Sequence, residues 1–140
     1  MTTITSGVTV RVLTRHDPEF YPLVGPFLAR REIVAETGAP LWDDDGKLWW
    51  VALDGDAVIG VAAATDRGAY VQFCSAYVPP AHRGKGVYRR LLDARLGHFH
   101  GRQIRVTCRP STADVYARRG FTRDRETKQY VFMRREADGD

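Results

Sequence analysis

The chain of 140 residues has few cysteines, no long apolar run, no repeat and no low-complexity tract. Cys74 and Cys108 are its only cysteines, too few to read as a disulfide framework. No apolar stretch approaches the roughly 20 residues that span a bilayer, so no membrane partner is expected. The opening Met-Thr-Thr-Ile-Thr-Ser-Gly has neither a basic nor an apolar region and does not read as an export signal. Together these absences read as reduced thiols in a cytoplasmic protein. His82, His98 and His100 are not spaced with cysteines or carboxylates as metal ligands, so no metal site is expected. With 44% hydrophobic and 27% charged residues, the composition excludes a disordered or fibrous chain. It suits one domain over residues 1–140.

Charge is unevenly placed. Residues 1–80 hold 6 Lys/Arg against 10 Asp/Glu, whereas residues 81–140 hold 15 against 7. A basic second half suits a phosphate-rich partner, a nucleotide cofactor or a nucleic acid. A solvated arginine-rich surface explains it equally well. Charge alone does not choose.

Val8–Thr14 alternates Val8, Val10 and Val12 with polar residues and reads as a first strand. Asp17-Pro18-Glu19 offers a cap, a proline and an acid for a short helix through Phe20 and Val24. A second helix begins at Gly25-Pro26, carries Phe27 and Ile33, and stops at Gly38. Strands are expected at 48–53 and 57–62 around the turn Asp54-Gly55-Asp56, and at 70–78 before Pro79-Pro80. Tyr88, Leu91, Leu92, Leu96 and Phe99 mark one face of a helix over 86–99. A strand at 104–108, a helix at 111–119 stopped by Gly120, and a strand at 129–133 follow, with 122–128 read as a polar turn. The order predicts an α/β or α+β layered domain with a mixed sheet.

The most informative segment runs from Ala76 through Pro79-Pro80-Ala81-His82-Arg83-Gly84-Lys85-Gly86 to Leu92. A strand ends, a short basic glycine loop follows, and an amphipathic helix begins. Such a loop gathers free backbone N–H groups at the positive end of the helix, which suits a phosphate or pyrophosphate. Arg83, Lys85, Arg89 and Arg90 add charge there. The loop has neither Walker nor dinucleotide glycine spacing. A plain basic turn is the other reading of the loop by itself.

Val78-x-Pro80-x-x-Arg83-Gly84-Lys85-Gly86-Val87, followed by Leu91-Leu92, resembles the acyl-CoA-binding signature of the GNAT superfamily, the acyl-CoA-dependent N-acetyltransferases. That signature is written Gln/Arg-x-x-Gly-x-Gly/Ala. Tyr116-Ala117-Arg118-Arg119-Gly120-Phe121 resembles the family's Tyr-x-x-x-Gly-Phe segment at the family's spacing. The likeness extends from Val8 to about Arg135. It implies a mostly antiparallel sheet of six to seven strands, flanked by about four helices and splayed at the central strands. It also implies acetyl-CoA as co-substrate and an amine acceptor. The Val78 backbone then holds the pantetheine arm, and the N–H groups of Arg83, Gly84, Lys85, Gly86, Val87 and Tyr88 wrap the pyrophosphate. Arg83 and Lys85 supply charge, and Tyr116 protonates the leaving thiolate.

Three positions depart from the family pattern. Tyr88 stands at the signature's last Gly/Ala, where its ring can turn inward beside Leu92. Gln72 stands where some members carry a glutamate base, and an amide cannot take a proton. Arg109 stands where the family often has asparagine.

For the acceptor, the acidic half offers Glu32, Glu36 and Asp43-Asp44-Asp45 among Trp42, Trp49 and Trp50. With Gln72, Glu32, Trp42 and Asp43 are the candidate acceptor contacts, an aromatic and acidic wall for a cation. Alternatively, Trp49 and Trp50 are strand residues, one of them core, and the three aspartates a solvated turn. The leading reading is acetyl transfer from acetyl-CoA to a primary amine by direct attack in a ternary complex, by a monomer or homodimer. Two rivals remain: a non-catalytic binding module on this fold, and an enzyme docking a protein or nucleic acid through its arginine-rich half.

Overall fold

Residues 7–137 are described by the computed structural model; residues 1–6, most of the stretch weighed for an export signal, lie outside them. The strands are β1 (Val8–Leu13), β2 (Lys47–Asp54), β3 (Ala57–Asp66), β4 (Val71–Tyr77), β5 (Ile104–Cys108), β6 (Thr122–Glu126) and β7 (Val131–Arg135). The helices are α1 (Phe20–Val24), α2 (Arg31–Thr37), α3 (Val87–His98) and α4 (Ala113–Ala117). The seven strands form one sheet in the order β1-β2-β3-β4-β5-β7-β6. Every neighbouring pair is antiparallel except β4–β5. This is the mixed, mostly antiparallel sheet with four helices that the resemblance implied. No helix among the described residues is long and apolar enough to cross a membrane.

Two cores lie on the two faces of the sheet. Leu91 and Leu92 of α3 and Tyr116 of α4 pack with Trp50, Phe73 and Val106 on one face. Phe20 of α1 and Ile33 of α2 pack with Trp49, Val51 and Val61 on the other. Successive residues of β2 point to opposite faces, so Trp49 and Trp50 are both core, one on each side.

Gly60 lets α3 approach the sheet closely. A Cβ at that position falls 2.7 Å from Val87 Cγ1 and 3.1 Å from Leu91 Cδ1.

Local expectations failed in three places. Asp17 does not cap α1; its carboxylate accepts from the Thr14 N–H at 2.7 Å and tightens the preceding turn. The single helix expected after Gly25 is broken, because Ala29 adopts a left-handed conformation (φ 52°) between a 3₁₀ turn and α2. Residues 122–126, read as a turn, form the exposed edge strand β6. An edge strand with no buried face carries no hydrophobic alternation to read.

Candidate active site

β4 and β5 pair only over Val71–Phe73 against Ile104–Val106, and then separate. The separation begins at a bulge in β4. Val61 pairs with Tyr77 and Ala63 with Cys74, so three residues of β3 face four of β4. Within the bulge Ser75 is left-handed, with φ 56°. Such strain costs on the order of 1–3 kcal/mol in a non-glycine residue and persists where neighbours hold it. Here the holder is Lys47, nearly buried, whose ammonium donates to Ser75 Oγ at 3.0 Å and to the Trp42 carbonyl at 2.8 Å.

The opened strands border a cleft of about 730 Å³ that reaches from α2 to α3 and α4. The loop before α3 forms one end. Gly84 and Gly86 take φ of 76° and 85°, in the region glycine favours. The first helical bond of α3 is from the Arg90 N–H to the Gly86 carbonyl. The N–H groups of Gly86, Val87, Tyr88 and Arg89 are therefore left over at the positive end of the helix. Four such donors on left-handed turns form a concavity that fits an anionic pyrophosphate.

The charges around this cradle do not act alike. Arg83 is tied into the protein: Nη1 and Nη2 meet the Glu36 carboxylate at 2.7 and 2.8 Å, and Nε donates to the Val78 carbonyl at 2.8 Å. Its guanidinium also lies over the Tyr77 ring, whose hydroxyl donates to Glu36 at 3.2 Å. Hydrogen bonds from Arg83 hold the Glu36 carboxyl below its usual range, and burial pushes the Tyr77 phenol up. Arg90 donates to the Val8 carbonyl. Lys85 and Arg89 are exposed, and neither has a carboxylate within ion-pair distance among the described residues. Two of the four expected phosphate cations are thus engaged elsewhere, Arg83 with Glu36 and Arg90 with β1. The Val78 carbonyl is likewise already an acceptor for Arg83.

Deeper in the cleft, the hydroxyls of Tyr88 and Tyr116 lie 2.5 Å apart with their rings edge to face. Tyr116 is buried against Phe121, which follows the left-handed Gly120. The Tyr88 ring packs on the α3-side core, as its spacing to Leu92 implies, and the residue also lines the cleft. Burial raises the Tyr88 phenol well above its ordinary value. Arg95, 1% exposed, also lines the cleft and meets no carboxylate among the described residues. It donates to the Ala63 carbonyl at 3.1 Å and covers the Phe73 ring, and its Nη2 has no partner. Cys74 and Cys108 border the cleft too, and burial pushes the Cys108 thiol up.

The residues expected to form an acceptor wall lie outside the cleft. Glu32 is exposed and pairs with Arg30 at 3.1 Å. Asp43 accepts from the Tyr21 hydroxyl, Trp42 is 53% exposed, and Gln72 donates to the Phe73 carbonyl. None of the four lines the cleft. They face away because α2 and the following loop turn Glu36, Ala39 and Leu41 inward instead. Across from them, Arg109 and Tyr130 both donate to the Thr37 carbonyl, at 3.1 and 3.2 Å, tying α2 to the far side of the split. Sequence reasoning missed Lys47, Ser75 and Arg95. Only Arg95 left a signal, a charge on the apolar stripe of its helix. Among the described residues no cluster of His, Cys, Asp and Glu has metal-holding geometry.

A family model described as an acetyltransferase (GNAT) domain matches residues 29–132. An acyl-CoA N-acyltransferase from Pseudomonas aeruginosa has a similar structure, with TM-score 0.75 and 16% identity over 91% of this chain and 99% of that one. Escherichia coli ElaA gives 0.71 and 19%, over 92% and 99%. A GNAT family acetyltransferase from Elizabethkingia anophelis, with acetyl-CoA bound, gives 0.63 and 12%, over 94% and 99%. At these identities the likeness is one of fold. No curated protein matches the chain.

Proposed function

Because this chain belongs to the GNAT acetyltransferase family, we propose that it transfers an acetyl group from acetyl-CoA to a primary amine. The observation that carries the reading is one continuous cleft with unpaired helix N–H groups at one end and the Tyr88–Tyr116 hydroxyl pair inside it. The N–H groups of Gly86 to Arg89 suit the pyrophosphate, with Lys85 and Arg89 as free cations beside them. The pantetheine arm follows the gap between β4 and β5, where unpaired strand backbone from the bulge to Val78 can hydrogen-bond it. The amine enters beside Glu36, Thr37 and Arg109.

Attack by the uncharged amine on the thioester carbonyl moves negative charge first to oxygen and then to sulfur. A backbone N–H near Val78 polarises the oxygen. Tyr116 gives its phenolic proton to the departing sulfur. Glu36 faces the cleft, but its pairing with Arg83 leaves it a weak base, so the amine loses its proton to water. No covalent enzyme intermediate is needed, and Cys74 and Cys108 have no chemical part.

Thiol release from acetyl-CoA, measured against a panel of amines, peptides and nucleic acids, tests the reading. Release that depends on one class of amine supports it and names the acceptor. No release with any acceptor, together with no thermal stabilisation by millimolar acetyl-CoA, overturns it.

A further inference from the structure

The Tyr88–Tyr116 contact has chemical consequences beyond packing. Both rings line the cleft, and each is fixed by its own element. Tyr116 is buried on α4, and Tyr88 is in the first turn of α3 with its ring on the core. Their hydroxyls meet at 2.5 Å with ring planes at 87°. Only one of the two can donate to the other. The second then has its proton free for a group in the cleft.

The contact allows either hydroxyl to donate, and the chemistry of thiolate departure favours Tyr88 as the donor. Phenols titrate near 10 and alkyl thiols near 8.5, so moving a proton from phenol to thiolate is uphill by roughly 1.5 units. A hydrogen bond donated onto the phenolate offsets this, because it favours the charged form. Tyr88 is suited to be that donor, since burial keeps its own phenol protonated to well above the ordinary value. The other ionisable groups acting on Tyr88 are Arg95 from α3 and Cys108 from β5. The Arg95 guanidinium is buried without a carboxylate, so its positive charge favours an anion formed nearby. The Cys108 thiol, pushed up by burial, stays neutral.

We propose that Tyr88 is the positioning residue of the transfer: its hydroxyl donates to the Tyr116 oxygen, aims the Tyr116 proton at the leaving sulfur and stabilises the phenolate left behind. The inference rests on the acetyl-transfer reading above. The balance is simple. The C–N bond forms, the C–S bond breaks, and sulfur takes the Tyr116 proton. The nitrogen gives a proton to solvent, and solvent returns one to Tyr116.

Tyr88→Phe keeps the ring and the backbone N–H and removes only the donor. Single-turnover thiol release is expected to slow by roughly 10-fold or more, with acetyl-CoA affinity unchanged. The alkaline fall in rate moves to higher pH, because the phenolate has lost its hydrogen bond. Tyr88→Phe with Tyr116→Phe should be no slower than Tyr116→Phe alone. An unchanged rate with an unmoved alkaline limb overturns the proposal, as do losses that multiply in the double variant. Absorbance titration of tyrosinate separates this failure from failure of the transfer reading. The component lost in Tyr116→Phe should appear at higher pH in Tyr88→Phe than in the wild type, whatever the protein acetylates. A component that titrates at the same pH in both removes the hydrogen bond, and the proposal with it. A wild-type protein that releases no thiol takes down the transfer reading, and this role along with it.

Discussion

Glu36 and Arg83, 47 positions apart in the chain, form a two-toothed ion pair at 2.7 and 2.8 Å across the mouth of the cleft. The pair joins the last turn of α2 to the loop before α3, so two sides of the cleft share one electrostatic clasp. It also offsets the Arg83 charge that the loop motif by itself offers a phosphate.

Removing the clasp should cost little, because both partners are nearly half exposed. Glu36→Gln is expected to destabilise by less than about 1 kcal/mol. The pH dependence has a definite sign. Arg83 holds the Glu36 carboxyl below its unfolded value of 4.5, so this stability is fully present above 4.5 and is lost as pH falls through the folded value. Melting curves of wild type and Glu36→Gln should differ at pH 7 and converge in acid. Curves that coincide at pH 7 show the pair to be energetically idle.

With Arg83 engaged, the proposed phosphate site is left with Lys85, Arg89 and the backbone. Lys85→Glu combined with Arg89→Glu should remove more than half of the rise in melting temperature that acetyl-CoA produces. Glu36→Gln should keep that rise. The comparison is made by thermal shift at constant ionic strength, since these contacts are exposed and screened by salt. A double variant that keeps the whole rise places the anion somewhere else.

Tyr116→Phe removes one proton and leaves the ring. Affinity for acetyl-CoA should hold, while single-turnover thiol release drops by roughly 10²–10⁴-fold, the usual worth of a general acid. Wild-type rate should climb with pH through the neutral range, because ammonium groups near 10.4 are mostly charged there. A Tyr116→Phe protein with wild-type rate would show that another group protonates the sulfur.

Gly60→Ala tests how closely α3 is seated. Replacing a glycine by alanine in a compatible backbone ordinarily stabilises by about 0.4–1 kcal/mol. Here the new methyl falls 2.7 Å from Val87 and 3.1 Å from Leu91, both buried. Overpacking of this kind costs roughly 1–3 kcal/mol. Urea denaturation should therefore show net destabilisation. A neutral or stabilising result means that α3 can shift without loss.

Much of the site was legible because its signals are local. The apolar period of 3.6 located α3, and the Arg-Gly-Lys-Gly run before it marked the N–H cradle. The spacing of Tyr116, Gly120 and Phe121 singled out the buried phenol. Tyr88 was legible by half: its spacing to Leu92 predicted packing, but nothing in the chain announced the hydroxyl 28 positions away. The residues expected as an acceptor wall do not line the cleft, because composition groups residues that the fold separates. Glu32 and Glu36 lie one helical turn apart, yet Glu32 pairs outward with Arg30 and Glu36 reaches the cleft.

The sequence by itself determined the kinds and order of most elements, though not the edge strand β6 or the break before α2, because periodicity, glycine placement and loop chemistry act over a few residues. The tertiary structure decided the bulge at Ser75, the split between β4 and β5, the pairing of Arg83 with Glu36 and the burial of Arg95. Each depends on which distant strand or helix arrives beside it. A charged side chain carries no local record of whether that neighbour is water, a carboxylate or a carbonyl.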